Sequence, residues 1–351
     1  MSISRRELLK TAGAAGLLGA VPGLSWAQTS PAETPEKAAL TIAVGGQALI
    51  YYLPLSVAHL QGYFKDEGLD VTIADFAGGS KALQAVVGGS ADVVSGAFEH
   101  TINLQAKGQY YRCFALQGRA PMIVLGVSNK TLAHYQSPAD LKGKKVGVTA
   151  PGSSTNMMVS FFLAQHGLKP NDVSFIGVGA GAGAITALRS GQIDAIANLD
   201  PVISTLVKED AIRIIADTRA LKDAQQIFGG NMPAGCLYAA QAFIDANPNT
   251  TQALTNAMVR ADKWIQAASV DEIAGLVPKS YLLGDPDLYK LALQGNREAL
   301  SPDGLVPEDG PQTALNALAG YVPNFDRTTI DISRIWTNQF ATKANQKYPH
   351  A

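Results

Sequence analysis

Ala85-Val86-Val87-Gly88-Gly89-Ser90-Ala91-Asp92-Val93-Val94 and Ala187-Leu188-Arg189-Ser190-Gly191-Gln192-Ile193-Asp194-Ala195-Ile196 say nearly the same thing, about a hundred residues apart. Each is the end of an apolar helix, a glycine stop, and an aspartate that opens a short apolar strand. Gly89 aligns with Gly191 and Asp92 with Asp194. Each copy follows a glycine-rich turn, Gly78-Gly79-Ser80 in one and residues 179–183 in the other. Helix–glycine–strand punctuation occurs throughout α/β proteins. Repeated in this order, it predicts two similar α/β lobes with room for a ligand between them.

Working outward, the rest of the chain keeps that rhythm. Strands are expected at Leu40–Gly45, Asp70–Phe76, Asp92–Ser95 and Tyr111–Leu116, alternating with helices at Pro54–Phe64, Lys81–Val87 and Glu99–Ala106. Such alternation implies a parallel sheet with helices on both faces. Met122–Val127, Lys145–Thr149, Val173–Val178, Asp194–Asn198 and Ile212–Ala216 repeat the pattern in a second unit, and Cys236–Ala240 is a strand able to carry the chain back. The division expected is lobe 1 over residues 38–120 and lobe 2 with the crossovers over 121–233. Residues 234–351 then return to lobe 1 and continue as helices packed against it. A chain of 351 residues exceeds one comfortable core, which agrees with two lobes.

Composition narrows the function. Charged residues are 16% and hydrophobic residues 47%, values of a compact globular chain. A formal net charge of −1, with no basic run beyond the N-terminus, gives no footprint for nucleic acid. Cys113 and Cys236 form neither a disulfide framework nor a Cys-x-x-Cys metal site, and their pairing is left open. The five histidines show no metal-ligand spacing. Neither metal nor cofactor is expected.

The N-terminus reads Ser4-Arg5-Arg6-Glu7-Leu8-Leu9-Lys10, then a mild apolar run from Thr11 to Trp26 that ends in Ser25-Trp26-Ala27. This pattern reads as a twin-arginine export signal over residues 1–27, cleaved near Ala27. Its removal takes three basic residues and one acidic residue, leaving a charge of about −3 from −1. The expected location is the periplasm.

Several stretches now converge on a family. They are Leu40–Gly45, Gln61-Gly62-Tyr63-Phe64-Lys65-Asp66-Glu67-Gly68-Leu69-Asp70-Val71, Gly88-Gly89-Ser90-Ala91-Asp92-Val93, Leu141-Lys142-Gly143-Lys144-Lys145-Val146-Gly147-Val148 and Pro151-Gly152-Ser153-Ser154. In this order they resemble the extracytoplasmic solute-binding proteins of ABC importers, in the nitrate/sulfonate/taurine branch related to thiamine-precursor (NMT1/THI5-like) binding proteins. The resemblance implies a type II periplasmic binding protein fold, two α/β lobes with a hinge and a ligand cleft between them. It also implies two crossovers, near residues 117–127 and 231–237. It implies a non-enzymatic monomer that closes on a small, anionic organic solute: a sulfonate, nitrate or taurine-like solute, an aromatic acid or a pyrimidine-like one. The partner implied is an inner-membrane ABC permease.

Candidate ligand contacts follow from loops at strand carboxyl ends, where helix N-termini offer free N–H groups. Ser153, Ser154, Thr155 and Asn156 supply consecutive polar donors, more than an N-cap needs. Gly79 and Ser80 are their counterpart in lobe 1. Gln47, Tyr51 and Tyr52 are placed to orient and cover a small molecule. Glu99 and His100 end one strand, and Asp200, just before Pro201, ends its equivalent. Arg119 is the basic residue of the first crossover and a candidate for pairing an anion.

Two other readings compete. Gly177-Val178-Gly179-Ala180-Gly181-Ala182 fits a loose dinucleotide fingerprint, with Asp194 seventeen residues beyond Gly177, so an exported NAD(P)-dependent oxidoreductase is one alternative. That acid opens its strand where the fingerprint requires one at a strand end. A ligand sensor presenting its closed form to a receptor is the other alternative. No Gly-x-Ser-x-Gly elbow or Ser-x-x-Lys motif supports a hydrolase.

Overall fold

In the computed structural model the described residues are 34–350. The export signal expected at residues 1–27 lies outside the described residues. Among the described residues, no helix is long and apolar enough to cross a membrane.

The two copies of the repeat adopt the same backbone. Gly89 and Gly191 take φ of +77° and +81°, the left-handed conformation that a glycine stop supplies without strain. Their amides donate to Val86 and Leu188 at 3.1 and 3.0 Å. The next amides, of Ser90 and Gln192, donate to Ala85 and Ala187 at 2.8 and 3.0 Å. The Asp92 carboxylate accepts from the Thr41 amide at 2.9 Å, and the Asp194 carboxylate from the Lys145 amide at 3.0 Å. Each aspartate therefore pins its own strand to the start of a neighbouring one.

Ten strands carry the two lobes: β1 (Ala39–Val44), β2 (Asp70–Asp75), β3 (Val93–Ala97), β4 (Tyr111–Leu116), β5 (Val124–Ser128), β6 (Lys145–Val148), β7 (Ser174–Gly177), β8 (Ala195–Asn198), β9 (Ile212–Asp217) and β10 (Gly235–Ala240). They form one sheet in the order β2-β1-β3-β10-β4 and a second in the order β7-β6-β8-β5-β9. Strands β3, β5 and β8 are buried throughout, as expected of strands covered on both faces, whereas edge strand β7 is largely open.

The sheets depart from the parallel arrangement read from the sequence. β10 runs antiparallel to β3 and β4, and β5 antiparallel to β8 and β9. Both reversed strands are the first the chain makes after changing lobes, so they enter their sheets from the end opposite to their neighbours. The two passages between lobes are bonded to each other at that point. The Gln117 and Gly118 amides donate to Gly235 O at 2.6 and 3.0 Å, and the Ala234 amide donates to Gly118 O at 3.0 Å.

The C-terminal helices do more than cover lobe 1. Pro248–Ala267 does lie on lobe 1, against Leu53–Leu60 and Gln339–Lys347. Pro286–Asn296, however, leans on Val202–Lys208 of lobe 2. Gly310–Tyr321 packs against both Glu99–Gln105 of lobe 1 and Ser154–Gln165 of lobe 2, burying Ala314, Leu315, Ala317 and Leu318. This helix walls the space between the lobes. Cys113 and Cys236, on neighbouring strands β4 and β10, are buried and unpaired.

Candidate functional site

The carboxyl ends of the central strands in both sheets point into the same cleft, the place where open α/β sheets receive ligands. In lobe 1 these are the turns after β1 and β3; in lobe 2, those after β6 and β8. The lobes touch there. A Cβ on Gly78 would lie 2.9 Å from the Cβ of Ala150, so only a residue without a side chain fits. The Ile50 amide donates across the cleft to Asp200 O at 3.1 Å.

The cleft has two compartments. Its mouth is open to solvent and lined by Ser80, His100, Lys107, Gly152, Asn156 and Ser160, among others. Here the two hydroxyl loops meet each other. The Ser80 amide donates to Ser153 Oγ at 3.0 Å, the Ser153 and Ser80 hydroxyls lie 3.2 Å apart, and the Ser80 hydroxyl donates to Pro151 O at 2.9 Å. Gly79 brings His100, Tyr52 and Ser153 around one point: a Cβ there would sit 3.6, 3.8 and 3.9 Å from their nearest side-chain atoms. Asn156 accepts from the Gly152 amide at 2.8 Å and so shapes the turn before its own helix. His100 Nδ1 pairs with the Tyr238 hydroxyl at 2.9 Å, while its buried Nε2 has no partner among the described residues. Burial holds this imidazole down to about 4, so it is neutral at neutral pH.

Deeper in, next to the crossovers, is a cavity of about 20 Å³, room for a single water. Both lobes, both crossovers and the helix Gly310–Tyr321 contribute to it. Its lining is sulfur and aromatic carbon for the most part, from Met157, Met158, Met232, Phe161, Phe228 and Tyr321. Glu99 and Ser154 add a carboxyl and a hydroxyl. Glu99 is only 7% exposed, and no other residue's side chain is paired with its carboxyl among the described residues. Burial raises it from 4.5 to about 7, with only its own amide favouring the charged form. Burial likewise pushes the Tyr321 phenol up, and the neighbouring Glu99 charge adds to the effect.

Five candidates from the sequence lie elsewhere, while Tyr52 reaches Gly79 with its hydroxyl only. Tyr51 and Tyr52 form an edge-to-face pair at 4.8 Å inside the lobe 1 core, where burial raises both phenols. The Gln47 amide, with that of Gly46, donates to Asp75 Oδ1, and its side chain lines neither compartment. The Thr155 hydroxyl is fully buried, accepting from the Thr149 amide at 3.1 Å and lying 2.9 Å from the Thr149 hydroxyl. Arg119 turns away from the cleft to donate to Glu298 O at 2.8 Å. Asp200, 1% exposed, accepts from the Ser204 amide at 2.8 Å, from Asn296 Nδ2 at 2.8 Å and from Arg219 Nη1 at 3.2 Å. Its carboxylate is a brace, filled by the chain's own donors.

The dinucleotide-like turn is occupied by protein. It follows edge strand β7, and Gly46 of lobe 1 presses on it so closely that a Cβ there would lie 2.4 Å from the Cβ of Ala180. Among the described residues no cluster of His, Cys, Asp and Glu is able to hold a metal ion.

The residues that line the deep cavity were readable in part. Met157, Met158, Phe161 and Phe162 put an apolar run on the helix after Ser153, beside the polar Asn156 and Ser160 that face the mouth. Tyr321 gave no such signal, because its position depends on the C-terminal helix reaching across the cleft.

Comparison with known proteins agrees with this architecture. A solved structure from Bordetella bronchiseptica RB50 is 71% identical, covers 91% of this chain and 100% of its own, and superposes with a TM-score of 0.90. The periplasmic nitrate-binding protein NrtA from Synechocystis PCC 6803 is 17% identical over 90% of each chain, with a TM-score of 0.69, which shows the periplasmic binding protein fold. Among curated relatives, "Putative binding protein YtlA" of Bacillus subtilis is 26% identical over 74% of this chain and 76% of its own length. The 4-amino-5-hydroxymethyl-2-methylpyrimidine phosphate synthase of Candida albicans is 25% identical over 65% of this chain and 67% of its own. The NMT1-like family matches residues 33–277, and the chain belongs to that family.

Proposed function

We propose that this protein is the extracytoplasmic substrate-binding component of an ABC importer, which captures a small organic solute by closing its two lobes about the bonded crossovers. The observation that carries the reading is the cavity between the lobes, beside the hinge, walled by elements from both sides. Hinge closure around a ligand is the established motion for two lobes joined in this way. The fold shared with NrtA, whose name describes a periplasmic nitrate-binding protein, supports the same reading. So does the export pattern in the first 27 residues.

Binding is favoured over catalysis by the chemistry of the lining. The cavity presents one carboxyl, one serine hydroxyl and one phenol, and no imidazole, thiol or amine. The name of the Candida albicans relative keeps a synthase as the second reading.

The test is a thermal-shift screen of the purified full chain, unfolded and refolded to strip carried-over ligand. The panel comprises nitrate, sulfonates, carboxylates, amines, amino acids, pyrimidines and NAD(P). A true solute at ~100 times its Kd adds about 2.7 kcal/mol of stability. A shift confined to one solute class is the expected result. A shift with NAD(P) alone supports the oxidoreductase, and no shift across the panel contradicts the proposal.

A further inference from the structure

Two depressions of about 400 and 480 Å³ share Ser204, Arg219 and Leu291, and so form one groove. It runs between the helices Val202–Lys208 and Pro286–Asn296, and none of its residues lines the mouth or the deep cavity. We infer that this groove docks a partner protein through a segment that sets an arginine or lysine beside an apolar side chain.

One half of the groove is built for a donor that carries positive charge. Asp200, Asp217 and Asp223 line it against a single cation, Arg219. That guanidinium is already committed to Asp217 and Asp200, at 2.6 and 3.2 Å. Asp223, in the first turn of the helix Leu221–Phe228, is exposed and enters no ion pair among the described residues. Asn296 adds an acceptor. It is 1% exposed, and its Nδ2 donates to both Asp200 Oδ2 and Ala292 O at 2.8 Å, which fixes which end of the amide is oxygen. That oxygen, Oδ1, is buried and has no partner among the described residues. A buried acceptor left unpaired is costly, and an incoming N–H relieves the cost. With a surplus of carboxylates around it, a guanidinium or ammonium is preferred to a neutral donor.

The other half is apolar and open. Leu291 is 67% exposed and Val207 43%, and Leu288 lies beside them. Single exposed apolar residues are ordinary, but two of the six large ones left exposed among the described residues share this one groove. Lys208 is paired with Asp285, so it does not compete for the acidic end. A free polyamine would use the carboxylates and leave this surface wet, whereas a peptide segment covers both halves. The lining carries five aspartates against two cations, so it repels nucleic acid and anionic lipid and attracts a basic chain.

Selection from a random heptapeptide display library, panned on the purified full chain, tests this. The counter-target is the double variant Asp223→Asn/Leu291→Ser, in which both residues are exposed, with circular dichroism to check its fold. Enriched peptides are expected to carry arginine or lysine within two positions of a leucine, isoleucine, methionine or phenylalanine. They are expected to bind the double variant at least tenfold more weakly, and to lose at least fivefold when their basic residue becomes glutamine. Spermidine, titrated by calorimetry, is expected to bind more weakly than the selected peptides. Enrichment of uncharged or acidic peptides, equal binding to the double variant, or no enrichment at all overturns the inference. Spermidine binding as tight as that of the peptides overturns it too, because the groove would then be a site for a free cation.

Discussion

Glu99 and Asp200 occupy matching turns in the two lobes, one just after β3 and the other just after β8, yet their surroundings are opposite. Asp200 is saturated: a backbone amide, an amide side chain and a guanidinium all donate to it, and its carbonyl accepts from the other lobe. Glu99 is nearly as far out of solvent, and only its own amide is paired with its carboxyl. The repeat builds two similar frames, but the later C-terminal helices decide what each acid does. Pro286–Asn296 delivers Asn296 to Asp200 and makes it structural. Gly310–Tyr321 delivers an apolar wall to Glu99 and leaves it free.

The largest expected effect is at the saturated acid. Asp200→Ala leaves Arg219 and Asn296 without a shared acceptor, and loss of one partner from a buried ion pair costs about 3–5 kcal/mol. Urea unfolding measures it. A loss below about 1 kcal/mol would erase the contrast between the two acids.

Glu99→Gln is expected to act in the opposite direction. A carboxyl whose folded value is raised from 4.5 to about 7 binds more protons in the folded state, so its stability contribution is lost as pH rises through that window. Relative to the variant, the wild type should give up nothing near pH 4.5 and about 3 kcal/mol by pH 8. His100 has the other sign. Lowered from 6.5 to about 4, it contributes stability that is lost as pH falls through that range. The two therefore oppose each other in the wild type between about pH 4.5 and 6.5, and Glu99→Gln exposes the His100 slope. A wild type and variant with parallel stability–pH curves would contradict the free-acid assignment.

The smallest effect sharpens the comparison of the frames themselves. Gly89→Ala and Gly191→Ala each place a side chain in the left-handed region at about 1–2 kcal/mol. Gly191→Ala should lose slightly more, because its Cβ would sit 3.3 Å from Thr131 Cγ2 while that of Gly89 meets nothing within 4 Å. A much smaller loss at Gly89 than at Gly191, by more than about 1 kcal/mol, would mean that the two stops are not equivalent.

What could be read from the sequence follows from this division. Glycine stops, strand-opening aspartates and the βα rhythm are local backbone demands, and residues 85–94 and 187–196 announce them directly. The reversed direction of β5 and β10 was not legible, because it depends on the end at which a crossover enters the sheet. The loops Gly79–Ser80 and Ser153–Asn156 were legible as cleft loops, but not that Ser80 and Ser153 would satisfy each other across it. The protein partners of Arg119 and Asp200 were not legible for a single reason. Their partners, Glu298 and Asn296, lie about a hundred residues away or more, on helices whose docking no local pattern specifies.

The most direct measurement is a crystal structure of the refolded protein with the tightest solute found in the screen. The expected result is a solute enclosed between the two lobes, in contact with side chains of both. A solute bound to one lobe alone, outside the space between them, would contradict it.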